Sequence, residues 1–349
     1  MLAAQVFTAK DLIVRGTSAD LRVAVLLLDS TLETLMVRKV RQVMQMQSFA
    51  GDEWWRKSAP IKIVLSDFRQ RERVSQELGE KYPNWVLSKN QRQSIDRNFG
   101  AKLQFLIWLG DIPAAYLKVA SRLHDYRNEL YHRDHTRHET LSISALISAY
   151  VVAEFLKLLK PLTVGYGADA DATLAEIFDR AGLAPDEVEN VEIISGYSIP
   201  QLPSNFDLQV MMGAQLMKGL DDRLHKIPQL LADYIRERLA ATDRSLDLIG
   251  GWNFDDQPHT KLDVIRLLHK PRGTPLRDLR GLHTSVTKST LERWNGWPEK
   301  ISVLTDALEA FASLSDFESE FETFEVLVDS ESSYVDGAIS FELDRRRGK

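Results

Sequence analysis

The chain has 349 residues, 44% of them apolar and 27% charged, a balance that supports one large or two ordinary domains and excludes a wholly disordered chain. It has no cysteine, which excludes disulfide frameworks, thiolate metal sites and cysteine nucleophiles. Residues 1–165 carry 24 Lys and Arg against 17 Asp and Glu, net +7, whereas residues 166–349 carry 20 against 33, net −13. Either the first half attracts a polyanion that the second repels, or charge simply falls unevenly along the chain.

Met1–Asp11 lacks the basic-then-apolar pattern of a secretory signal, so a cytoplasmic protein is expected. Thr17-Ser18-Ala19-Asp20 offers N-cap residues before Leu21, Val25, Leu28, Leu32, Leu35, Met36, Val40 and Val43, which recur at helical spacing. A helix is predicted over about 18–46. Ile61–Arg73 and Val74–Lys81 read as polar helices and Ser88–Asn98 as a short one. Leu103–Leu109 is apolar and ends at a Gly-Asp-Ile-Pro break. Ala114–Tyr131 is a helix with an apolar face of Ala115, Val119, Leu123, Tyr126 and Leu130. Leu141–Leu159 is a second strongly apolar helix. Glu154 and Lys157 interrupt it, as Asp29 and Glu33 interrupt Leu21–Val37, so both read as core helices rather than membrane spans.

The Gly/Asp/Ala-rich stretch after Pro161 predicts a boundary, giving domains 1–165 and 166–349. Beyond it, Ala172–Arg180 predicts a short helix and Val188–Ser198 a strand. Phe206–Asp222, Ile227–Ala241, Lys261–His269 and Trp294–Phe317 predict helices. Thr323–Asp329 and Ala338–Leu343 alternate apolar and polar residues, which predicts a β-hairpin. The segment Lys261–Lys300 is basic and contains Trp294 and Trp297. It is expected to dock onto the acidic run Asp306–Glu331, with RNA contact by stacking the lesser alternative.

Chemistry concentrates in Leu123-His124-Asp125-Tyr126-Arg127-Asn128-Glu129-Leu130-Tyr131-His132. A histidine transfers protons near neutral pH, and an arginine stays charged and presents a fork of donors to phosphate oxygens. His124, Asn128 and His132 lie four residues apart in turn, on one face of a helix, with Arg127 beside them. The core Arg127-Asn128-x3-His132, at the end of a helix that precedes an apolar helix, resembles the signature of HEPN domains, over about residues 18–162. The resemblance implies a mainly α fold: a HEPN-like antiparallel bundle, then a mostly helical second domain. It implies a metal-independent endoribonuclease that leaves a 2′,3′-cyclic phosphate, of toxin or phage-defence type, without a cofactor. Arg127, Asn128 and His132 become the catalytic residues and His124, Asp29 and Glu33 their support. A homodimer with a shared cleft is implied, with RNA as substrate and an antitoxin or trigger as a further partner. Some HEPN toxins carry a tyrosine two residues after the histidine; Asp134 stands here, which puts control through that residue in doubt.

Two other readings stay open. A bundle of this kind also serves as a non-catalytic RNA- or nucleotide-binding or dimerisation module. His132, His135 and His138, spaced by three, offer imidazoles to a metal, but the intervening Arg133 and Arg137 repel a cation.

Overall fold

The computed structural model describes residues 2–50, 61–62, 85–132, 138–159, 189–194, 197–201, 208–253, 260–268 and 286–347, and the fold is mainly α-helical. Of the helices predicted over 61–81 and 172–180, Ile61–Lys62 is a strand and the rest lies outside the described residues. Contacts divide the chain into two units, Met1–Arg223 and Leu224–Lys349.

In the first unit, α1 (Leu2–Arg15) ends at Gly16, whose φ of 70° suits glycine. The N-cap then passes to Thr17, which accepts from the Asp20 amide at 3.2 Å and opens α2 (Ser18–Ala50). One short pairing follows: β1 (Ile61–Lys62) lies parallel to β2 (Trp85–Val86). Next come α3 (Lys89–Arg97), α4 (Phe99–Leu109), α5 (Tyr116–His132) and α6 (His138–Leu158). The strand expected over 188–198 is instead divided between two antiparallel strands, β3 (Glu189–Ile194) and β4 (Tyr197–Gln201). Helix α7 (Leu208–Met217) and the single turn α8 (Asp221–Leu224) follow.

The core of this unit forms where α2 packs on α6, flanked by α1, α4 and α5. Ala145, Ile147, Val151, Ala153, Phe155 and Leu156 of α6 are fully buried. Thr140–Leu158 is long and apolar enough to span a membrane, but 72% of it is covered by this unit, as a core helix should be. Helix α7 packs on α6 and α1, and the Arg223 guanidinium donates to the Ile13 carbonyl at 3.2 Å. By contacts, residues up to Arg223 therefore belong with the first unit. Residues 208–217 supply Met212, Leu216 and Met217 to the first core, whatever the composition of the stretch before them.

The second unit contains α9 (Ile227–Asn253), α10 (Lys261–Leu268), α11 (Lys288–Asn295), α12 (Trp297–Ser302) and α13 (Ala307–Arg346). The hairpin expected over 323–343 is absent, and the helix expected over 294–317 is three helices. Helix α13 runs unbroken for 40 residues. Its buried positions Ala310, Leu314, Phe317, Phe321, Phe324 and Val328 repeat every three or four residues, whereas Val326 is 66% exposed. The apparent period of two arose because exposed apolar residues filled the gaps in a helical stripe. Trp294 and Trp297 are buried in this core, against Phe321, Phe324 and Phe317, so they are not open stacking platforms. Arg293 pairs with Glu320 at 2.9 Å, one contact of the kind expected between the basic segment and the acidic run.

Helix α10 shows how its end is held. The Thr260 amide and hydroxyl both donate to the Asp263 carboxylate, at 3.1 and 2.7 Å. The hydroxyl bond, against opposing burial and with help from the amide and Arg266, holds the Asp263 carboxyl below its ordinary range. With the folded pKa below the unfolded one, the stabilisation is complete above the unfolded value and lost as pH falls through the folded one. Asp263→Ala should cost the second unit about 1 kcal/mol at pH 7. That difference should close along the acid limb of urea unfolding followed by tryptophan fluorescence.

Candidate functional site

The site is built where α2, α4 and α5 meet. Val119, Ala120, Leu123 and Tyr126 of α5 are buried, and they fix the rotation of the helix. His124 and Arg127, each one residue beyond a buried position, are left at the margin facing α2. On α2, Leu28 and Leu32 are buried, and Asp29 between them is drawn in to 6% exposure.

A carboxylate taken out of water needs partners, and Asp29 has two. Its Oδ1 lies 3.0 Å from His124 Nδ1, and its Oδ2 lies 3.3 Å from Arg127 Nε. The Arg127 contact is an ion pair rather than an aligned hydrogen bond, since Nε is buried with no hydrogen-bond partner among the described residues. Nη1 donates to Asn128 Oδ1 at 2.9 Å, and the guanidinium carbon sits 5.4 Å from the centre of the Tyr131 ring. The Arg127 side chain keeps 28% of its surface open.

Phe99 holds the other side of the imidazole. Its ring stacks on His124 with centroids 4.0 Å apart and planes 7° from parallel. Phe99 is placed by Asn98, which closes α3 by donating its amide to Ser94 and opens α4 by accepting from the Ala101 amide at 3.1 Å. Sequence reasoning passed over Phe99; the available signal was its place directly after an N-cap asparagine.

Glu33, one turn from Asp29 on α2, goes elsewhere. It accepts from Lys102 Nζ at 3.1 Å, and Lys102 is 2% exposed. Of the expected support, Asp29 and His124 therefore join Arg127 and Asn128, while Glu33 neutralises a buried lysine beside them. His132 is the last residue of α5. Its side chain, like those of His135 and His138, lies outside the described residues. Among the described residues no three His, Asp or Glu side chains converge as a metal-ligand set.

The arrangement supplies an oriented imidazole and a partly open guanidinium hung from one buried carboxylate, which suits proton transfer beside an anion. No family model, no curated protein and no solved structure matches the chain.

Proposed function

We propose that the protein is a metal-independent endoribonuclease of HEPN type, acting in the cytoplasm as a toxin or defence effector. The observation that carries the reading is Arg127. It sits in the last turns of α5 between Asp29 and Asn128, with more than a quarter of its side chain open, in the basic half of the chain. In this reading the guanidinium binds the scissile phosphate, Asn128 orients it, and His132 handles protons at the end of the same helix. The 2′-oxygen attacks phosphorus, the 5′-oxygen departs, and a 2′,3′-cyclic phosphate and a 5′-hydroxyl result. Two copies of the chain pair so that both motifs line one cleft, and the acidic second half governs access or senses a trigger or antitoxin.

The test is incubation of the purified protein with tRNA and mRNA in EDTA. Cleavage should survive chelation and fall at least about 100-fold in Arg127→Ala and in His132→Ala, the scale of losing an acid–base or phosphate-binding group. A wild type that cuts no RNA and does not slow growth on expression refutes the proposal.

One observation favours a second reading. Arg127 already has a carboxylate partner, as a purely structural arginine would. A bundle that binds RNA without cutting it would show salt-sensitive binding that His132→Ala leaves unchanged.

A further inference from the structure

The imidazole of His124 is fixed on two sides. Asp29 holds Nδ1 through both oxygens, at 3.0 and 3.3 Å, and Phe99 lies flat against the ring. The carboxylate side chain is 5% exposed and that of the histidine 20%, so the open part of the ring is turned away from Asp29. Among the described residues nothing hydrogen-bonds Nε2. A buried carboxylate demands a donor, so the neutral ring carries its proton on Nδ1 and presents a lone pair at Nε2. Arg127 hangs from the same carboxylate one turn further along α5.

We infer that His124, through Nε2, is the general base of the cleavage step, and that Asp29 is the positioning residue that sets its tautomer. The inference rests on the RNA-cleavage reading above and assigns the base within it. Nε2 takes the proton of the ribose 2′-hydroxyl as the 2′-oxygen bonds to phosphorus. The bond from phosphorus to the 5′-oxygen breaks as that oxygen takes a proton from the imidazolium of His132, the group given proton handling above, and exchange with water then returns both histidines to their starting states. No metal, oxidant or further reactant enters the balance. His132 stands eight residues on, about 12 Å along the helix axis, too far to share one 2′-hydroxyl with His124 of the same chain. The charged groups around the ring are Asp29 and Glu33 of α2, Lys102 of α4, and Asp125, Arg127 and Glu129 of α5 itself. Glu33 pairs with Lys102, and of the other four Asp29 touches the ring and pairs with Arg127 beside it.

Two measurements on the full chain test this. Selective ¹⁵N-histidine labelling, with His124→Gln to assign the signal, should show the Nδ1–H tautomer in the wild type and a shift toward Nε2–H in Asp29→Asn. Single-turnover RNA cleavage by His124→Gln and by Asp29→Asn should fall at least about 100-fold while RNA binding changes only a few-fold. An Nε2–H tautomer in the wild type overturns the inference. So does a His124→Gln protein that cleaves at the wild-type rate while Arg127→Ala is dead, and that result leaves the cleavage reading standing. A wild type inert on RNA removes the cleavage reading and this role with it.

Discussion

Arg238→Met should lower the unfolding free energy of the second unit by about 3–5 kcal/mol, the cost of leaving one member of a buried ion pair alone. Arg238 projects from α9 between two carboxylates of α13. It donates to Glu318 at 3.2 Å and, through Nε, to Glu325 at 2.9 Å, and its second terminal nitrogen also meets Glu325. Glu318 is fully buried and the arginine side chain is 11% exposed. The guanidinium also lies against the rings of Tyr234, Phe317 and Phe321. Burial opposes its charge, but the Glu325 hydrogen bond and the electrostatic pull of Tyr234, Glu325 and Glu318 outweigh that and raise its pKa. Methionine keeps much of the volume and removes the charge, so the loss reports Glu318 stranded in a low-dielectric core. Urea unfolding read by the buried Trp294 and Trp297 measures it. The double variant Arg238→Met with Glu318→Gln should regain most of the loss, because no bare charge is then left inside. If the single variant loses less than about 1 kcal/mol, the value expected of an exposed pair, the pair is not buried in solution.

Glycine-to-alanine changes at two helical sites should move stability in opposite directions. In the middle of a helix this substitution is normally worth up to about 1 kcal/mol in favour of alanine. At Gly337 on α13 an added Cβ meets nothing within 4 Å, so Gly337→Ala should show that gain. At Gly213 on α7 the same atom would stand 2.9 Å from the carbonyl oxygen of Ala153 on α6. Backbone cannot yield as a side-chain end can, so Gly213→Ala should cancel the propensity gain and lose stability. Gly213→Leu should cost about 3 kcal/mol by forcing α7 off α6. Thermal unfolding of the three variants against wild type checks both signs. A stabilised Gly213→Leu would mean that α7 does not seat on α6.

The first unit was largely legible because its helices announce themselves locally. Leu21 to Val43 and Val119 to Leu130 repeat at the helical period, and Ser88, Asn98 and Gly110 sit where caps are needed. Helix α1 went unread although its buried Val6, Ala9 and Ile13 stand at helical spacing; it packs mainly on α2, the next element, and less on α6 and α7. The extent of the first unit depends on packing between distant parts of the chain. The close approach of Gly213 to Ala153 is a long-range contact, and a Gly/Asp/Ala stretch marks a loop without saying which side of it packs where. The hairpin misreading over 323–343 shows the limit of pattern in short windows: a period of two and a period of 3.6 coincide until burial separates them. At the site, helical spacing brought His124 and Arg127 together with Asn128, and the HEPN resemblance added Asp29. That Asp29 would take both His124 and Arg127, and Glu33 a lysine instead, depends on how α4 and α5 rotate against α2.

Asn98 is the whole of the turn between α3 and α4, a corner with no slack in it. Each residue of an α-helix advances the next by about 100° around the axis. One residue inserted or deleted at that corner would swing Phe99 off the imidazole face while leaving both helices intact. The length of the chain at this point is therefore as much a part of the site as the chemistry of its side chains. Homologous sequences that retain the Asp29–His124 pair should show substitutions here but no gaps.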